Sequence, residues 1–150
     1  MGDKISLVEL YPLIAEGLSK GGTYRFYPKG RSMLPLIREE KDSVVFSKAD
    51  SISKGDIVLY RRKNGMFVIH RIVDVSETLT MCGDNQFVFE KDILPSQVLA
   101  KVSLIYKKDK PLSLDSKRYL CYVKLLPIRR FSLKSICYAK IMARKLFKGR

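Results

Sequence analysis

Between Thr23 and Tyr106 the chain is a succession of short β-prone runs, each closed by a turn signal. The runs are Thr23–Tyr27, Ser43–Ser47, Asp56–Arg61, Met66–Val73, Glu77–Cys82 and Gln97–Tyr106, all rich in β-branched and aromatic residues. Lys54-Gly55-Asp56, Lys63-Asn64-Gly65 and Gly83-Asp84-Asn85 punctuate them. Asn64-Gly65 tolerates positive φ and predicts a hairpin between the third and fourth runs. Short strands at such spacing leave little room for helices. They predict a mainly β domain, a coiled sheet or a barrel-like one.

The flanks read differently. Ser6-Leu7-Val8-Glu9 has the form of a capping box, and Val8, Tyr11, Ala15 and Leu18 recur at helical spacing. A short helix from about Ser6 to Lys20 is expected, with Pro12 able to kink it and Gly21-Gly22 ending it. The expected organisation is an N-terminal helix over 1–22, a core over 23–108 and a basic C-terminal extension over 109–150. Within that extension a helix is expected from about Ser132 to Phe147, after Pro127, although its apolar residues do not share one clean face.

Charge is divided between these parts. Residues 1–115 hold 18 Lys and Arg against 15 Asp and Glu, whereas 116–150 hold 11 basic residues and no acid. The core is nearly neutral and the tail is a cation, which suits an anionic surface such as lipid headgroups. Nucleic acid is the less expected partner. No apolar run reaches 18 residues, and Glu9 and Glu16 interrupt any leader-like stretch near the start. Neither a spanning helix nor a signal peptide is expected. The chain is read as cytoplasmic, or peripheral on the inner face of a membrane. A single histidine excludes a three-histidine zinc centre, and Cys82, Cys121 and Cys137 lack metal-binding spacing, so no cofactor or metal is expected.

Three short blocks carry residues suited to acyl chemistry. In Gly30-Arg31-Ser32-Met33-Leu34-Pro35, Gly30 permits a tight bend and Pro35 stiffens the exit, fixing the Ser32 hydroxyl beside backbone N–H groups. A serine hydroxyl needs such placement and a base before it can attack a carbonyl. The same block also reads as a plain turn. His70, in Val68-Ile69-His70-Arg71-Ile72-Val73, is the chain's one imidazole and its best proton acceptor near neutral pH. A histidine packed on a carbonyl is the other reading. In Cys82-Gly83-Asp84-Asn85, Asp84 can orient an imidazole or bond its own turn.

These blocks, with Gly55-Asp56-Ile57-Val58 between the first two, resemble the signal peptidase I and LexA-like serine peptidase superfamily over roughly residues 22–106. His70-Arg71 is similar to the histidine-base branch, the archaeal and endoplasmic-reticulum type. Gly30 stands where many signal peptidases have a serine, as in LexA-like proteins. The resemblance implies a coiled-sheet peptidase core acting on a peptide or precursor protein. Ser32 would be its nucleophile, His70 its base and Asp84 an aid, with Gly30, Met33, Pro35 and Arg71 as oxyanion and structural support. It also implies small residues before the cut. No membrane anchor is expected, a departure from the family, and the roughly twenty residues read ahead of the core are too few for a helix-turn-helix module. It therefore reads as a stand-alone catalytic core. The alternative is a catalytically silent LexA-like module that binds nucleic acid or peptides through its basic tail.

Overall fold

The structure is a computed structural model that describes residues 7–148. It is mainly β, an open antiparallel sheet with one helix before it and a long one after it. Helix α1 spans Leu7–Ser19 with Pro12 inside. It ends in two crossed bonds, from Gly22 N–H to Gly17 O at 2.9 Å and from Gly21 N–H to Leu18 O at 3.0 Å, which satisfy carbonyls of the last turn. Ser6, the expected cap, lies outside the described residues.

The strands are β1 (Tyr24–Phe26), β2 (Asp42–Ser47), β3 (Ile57–Arg61), β4 (Phe67–Val75), β5 (Leu79–Cys82), β6 (Glu90–Ile93), β7 (Val98–Lys107) and β8 (Lys110–Ser113). Their order across the sheet is β1-β2-β7-β3-β4-β5-β6. β7 organises this order. It pairs with β2 from Lys101 to Lys107 on one edge, while β3 (Val98–Lys101) and β8 (Leu104–Lys107) share its other edge. Register shifts interrupt four pairings, between Val45 and Phe46, Leu59 and Tyr60, Ile72 and Asp74, and Leu79 and Met81. Such bulges sharpen the twist of a sheet and coil it. The coil stops short of a barrel, because β1 and β6 end the order and pair only with β2 and β5 among the described residues.

Coiling buries both faces of the central strand. Ile57 and Leu59 point into one apolar cluster with Met33, Ile37, Phe46, Val102 and Ile105, while Val58 and Tyr60 point into a second with Ile72, Leu79 and Met81. This is the period of two, with apolar side chains on both faces. Two strands escape a reading by composition. β6 is Glu-Lys-Asp-Ile, and β8 is a short edge strand carrying Pro111.

The long helix α2 spans Lys117–Lys148, starting fifteen residues before the expected Ser132. Its N-cap is Ser116, whose Oγ accepts the Tyr119 N–H at 3.3 Å. Pro127 has no N–H to give Val123 O, yet the helix continues through it, with Tyr119 packed in the core and Leu126 buried. No helix among the described residues is long and apolar enough to cross a membrane.

One buried carboxylate ties the first turn after β1 to the sheet. Asp42 is fully buried at the start of β2. It accepts from Arg38 Nε at 2.8 Å, from Arg38 N–H at 2.9 Å and from Lys107 Nζ at 2.6 Å. Lys107 Nζ also donates to Leu36 O at 2.6 Å. Burial alone would raise the Asp42 pKa, but these cationic donors outweigh it and hold the carboxyl well below the usual range. The folded state therefore releases this proton more readily than the unfolded chain. The stability it contributes is present above about pH 4 and is lost as pH falls toward the folded pKa. Asp42→Asn should lower unfolding stability at neutral pH by about 2–4 kcal/mol and flatten the acid limb of stability against pH, both read from urea unfolding.

Candidate active site

Gly30 opens the turn that carries Ser32. Its φ of +92° lies in the left-handed region, where a side chain is strained. The turn then closes on itself, with Leu34 N–H donating to Arg31 O at 3.3 Å and Ile37 N–H to Met33 O at 2.9 Å. Met33, Leu36 and Ile37 are buried and anchor the bend, leaving Ser32 half-buried at its surface. The turn is also gripped from outside. Asn85 N–H donates to Ser32 O at 2.8 Å, and Asn85 Nδ2 to Arg31 O at 3.2 Å. Gly83 makes this approach possible, since a Cβ there would stand 2.6 Å from Ser32 O. The Ser32 N–H has no acceptor among the described residues.

His70 sits on β4 opposite Val58 of β3, on the same face as Tyr60. Only 1% of the residue is exposed. Its Nδ1 lies 3.2 Å from the Tyr60 hydroxyl and 3.2 Å from Glu90 Oε1. The Tyr60 hydroxyl has one proton, and it points to Glu90 Oε2 at 2.8 Å. The Tyr60 oxygen can then only accept from the imidazole, and so can the carboxylate. Nδ1 must carry the ring proton, which leaves the Nε2 lone pair free. Arg62 donates through Nε and Nη2 to the two Glu90 oxygens and fixes the carboxylate. Burial of the ring lowers the His70 pKa below its ordinary value, opposed but not reversed by the charge of Glu90. Burial would raise the Glu90 pKa, but its bonds from Arg62 and Tyr60 and the nearby imidazole keep it low. At neutral pH the arrangement is thus a neutral imidazole backed by an ionised carboxylate.

Asp84 lies elsewhere. Sequence reading expects it against the imidazole, but its two oxygens accept from Arg71 Nε at 2.8 Å and Arg71 Nη2 at 2.6 Å. Tyr122 of α2 adds a third donor at 3.0 Å. The carboxylate on Nδ1 is Glu90. The reason lies in strand geometry, since His70 and Arg71 are consecutive on β4 and point to opposite faces. Arg71 also gives Nη1 to Gly55 O at 2.7 Å and to the Tyr119 hydroxyl at 2.8 Å. Burial of the guanidinium disfavours its charge, but Asp84 outweighs this and keeps it protonated. Arg129 of α2 reaches Asn85 Oδ1 at 2.9 Å. Arg71 and Asp84 therefore support the Ser32 turn from beneath.

Ser32 and His70 line one cleft of about 560 Å³ together with Gly30, Met33, Phe67, Val68 and Ile69. No hydrogen bond joins the two side chains among the described residues. Pro35 lies outside this cleft and lines a separate groove against Tyr119 and Tyr122. Four consecutive residues of one strand, Phe67 to His70, can face a single cleft only along a strand edge. That edge is open because β5 pairs with β4 only from Arg71 onward. Tyr60 and Glu90 are the members that sequence reading did not find. Tyr60 looks like one more strand aromatic, and Glu90 belongs to a charged stretch without motif or spacing. No protein-family model matches the chain, and neither curated proteins nor solved structures provide a match.

The single histidine makes this geometry directly measurable. Nitrogen-15 NMR of the imidazole should show Nδ1 protonated and Nε2 bare at neutral pH, with a pKa below about 6.5. Glu90→Gln removes the charge that opposes burial and should lower that pKa further. A higher value in the variant would contradict the arrangement.

Proposed function

We propose that the chain is a serine endopeptidase with Ser32 as nucleophile and His70 as general base. Its fold on this reading is the coiled-sheet core of the signal peptidase and LexA-like type. The observation that carries the proposal is the shared cleft. The half-buried hydroxyl and the chain's only imidazole line it together, and the imidazole's Nδ1 is already committed to Tyr60 and Glu90. Ser32 Oγ attacks a peptide carbonyl as Nε2 takes its proton. The oxyanion accepts from backbone N–H groups of the bend, including that of Ser32. Imidazolium, stabilised by Glu90, then protonates the leaving amine, and water hydrolyses the acyl-enzyme with the same base.

The open edge of β4 at Phe67–Ile69 suits an extended peptide, which would add to the sheet by main-chain hydrogen bonds. Phe26, Met33, Leu59 and Phe67 give the cleft apolar walls for its side chains. Glu90 takes the orienting role that sequence reading gave to Asp84, and Asp84 with Arg71 becomes a positioning pair.

The test is cleavage of a peptide library read by mass spectrometry. Ser32→Ala and His70→Ala should each lose about 10⁴-fold in kcat/KM, and Glu90→Gln about 10²-fold, with thermal midpoints showing that the variants fold. A fluorophosphonate should label the native chain at Ser32 and should label His70→Ala far more slowly. Cleavage that survives unchanged in both alanine variants would overturn the reading. Peptide binding without turnover in the native chain would favour the silent module instead.

A further inference from the structure

We infer that the outward face of α2 docks on an anionic lipid surface. The helix is apolar on two opposite sides. Tyr119, Tyr122 and Val123 turn inward against the core, and Leu126 is buried on the same side. Leu120, Ile128, Phe131, Tyr138 and Met142 fall within about 80° of one another on the other side at 3.6 residues per turn, while the exposed Leu125, Ile136 and Ile141 fall outside that sector. All five are open to solvent, Ile128 at 65% and Phe131 at 73%. The stripe runs for about 33 Å along the helix.

Charge decides what covers the stripe. Residues 116–150 carry 11 Lys and Arg and no acid. Lys117 and Lys124 are exposed within the apolar sector and Lys134 beside it. A second copy packed on this face would bring two such cationic segments together without a counter-charge. A nucleic acid would answer the charge but would leave Ile128 and Phe131 against phosphates. An acidic bilayer satisfies both, taking the apolar side chains at the acyl boundary and the cations at its headgroups, with lysine stems lying along the interface. The helix lies flat in this arrangement. Its inward face keeps its bonds to Arg71, Asp84 and Asn85, so the docked protein holds the Ser32 turn close to the lipid.

Sedimentation of the full chain with vesicles tests this, using phosphatidylcholine alone and phosphatidylcholine mixed with phosphatidylserine. Binding should require phosphatidylserine and weaken as salt is raised. Ile128→Ser with Phe131→Ser, and separately Lys124→Glu with Lys134→Glu, should each weaken binding by about tenfold or more at unchanged thermal midpoint. No binding to the acidic vesicles, equal binding to both vesicle types, or two variants that bind like the native chain would overturn the inference. So would a native dimer that the serine pair turns into a monomer, or RNA retention by a chain that ignores vesicles. Binding is read without reference to cleavage, so this inference and the peptidase reading fail separately.

Discussion

The buried Arg71–Asp84 pair is the contact on which the arrangement around Ser32 depends. A guanidinium and a carboxylate removed from water are costly unless each donor and acceptor is met. Here Gly55, Tyr119 and Tyr122 complete the set, so β4, the turn after β5, the turn before β3 and α2 converge on two side chains. The neighbours of Asp84 inherit that rigidity. Gly83 and Asn85 lie against the Ser32 carbonyl, and the bend is thus held by a charge pair that its own side chain never touches. Asp42 does the same from the other end of the bend through Arg38 and Lys107.

The opposite face of β4 has a different electrostatic character. On the supporting face Asp84 is held by Arg71, with Arg130 as a second, longer ion pair. Around His70, a carboxylate, a phenol and an arginine surround an imidazole that stays neutral because it is buried. Burial and the nearby anion pull its pKa in opposite directions, and burial wins. Such a ring is ready to accept a proton, and the cation it would become already has a counter-ion in place. One strand separates a permanent pair from a titratable one by alternating its side chains.

Much of the fold was legible because the strands announce themselves by composition. Val44, Val45 and Phe46, or Ile57 to Tyr60, can hardly be read otherwise, and Asn64-Gly65 marks its hairpin. β6 was not legible because an end strand is stabilised by its neighbour and by charge that discourages further pairing, not by apolar content. That loss hid Glu90, since a carboxylate placed by register across three strands leaves no local trace. Asp84 attracted the orienting role through its turn motif, where sequence cannot say which face of β4 it meets. The early start of α2 was hidden by Pro127, whose usual meaning is a boundary. The packing of Tyr119 and Leu126 overrides it.

Glu90 reaches His70 from the last strand of the sheet, and β6 is joined to β5 through only two register pairs, Leu79 with Ile93 and Met81 with Glu90. The outermost strand of an open sheet is where fraying begins. A small separation of β6 would withdraw the carboxylate while the Ser32 bend, clamped at the opposite face, stayed where it is. The imidazole would keep its place but lose its counter-ion, so this half of the arrangement rests on a sheet margin secured by Tyr60 and Arg62, and the other half rests on the core.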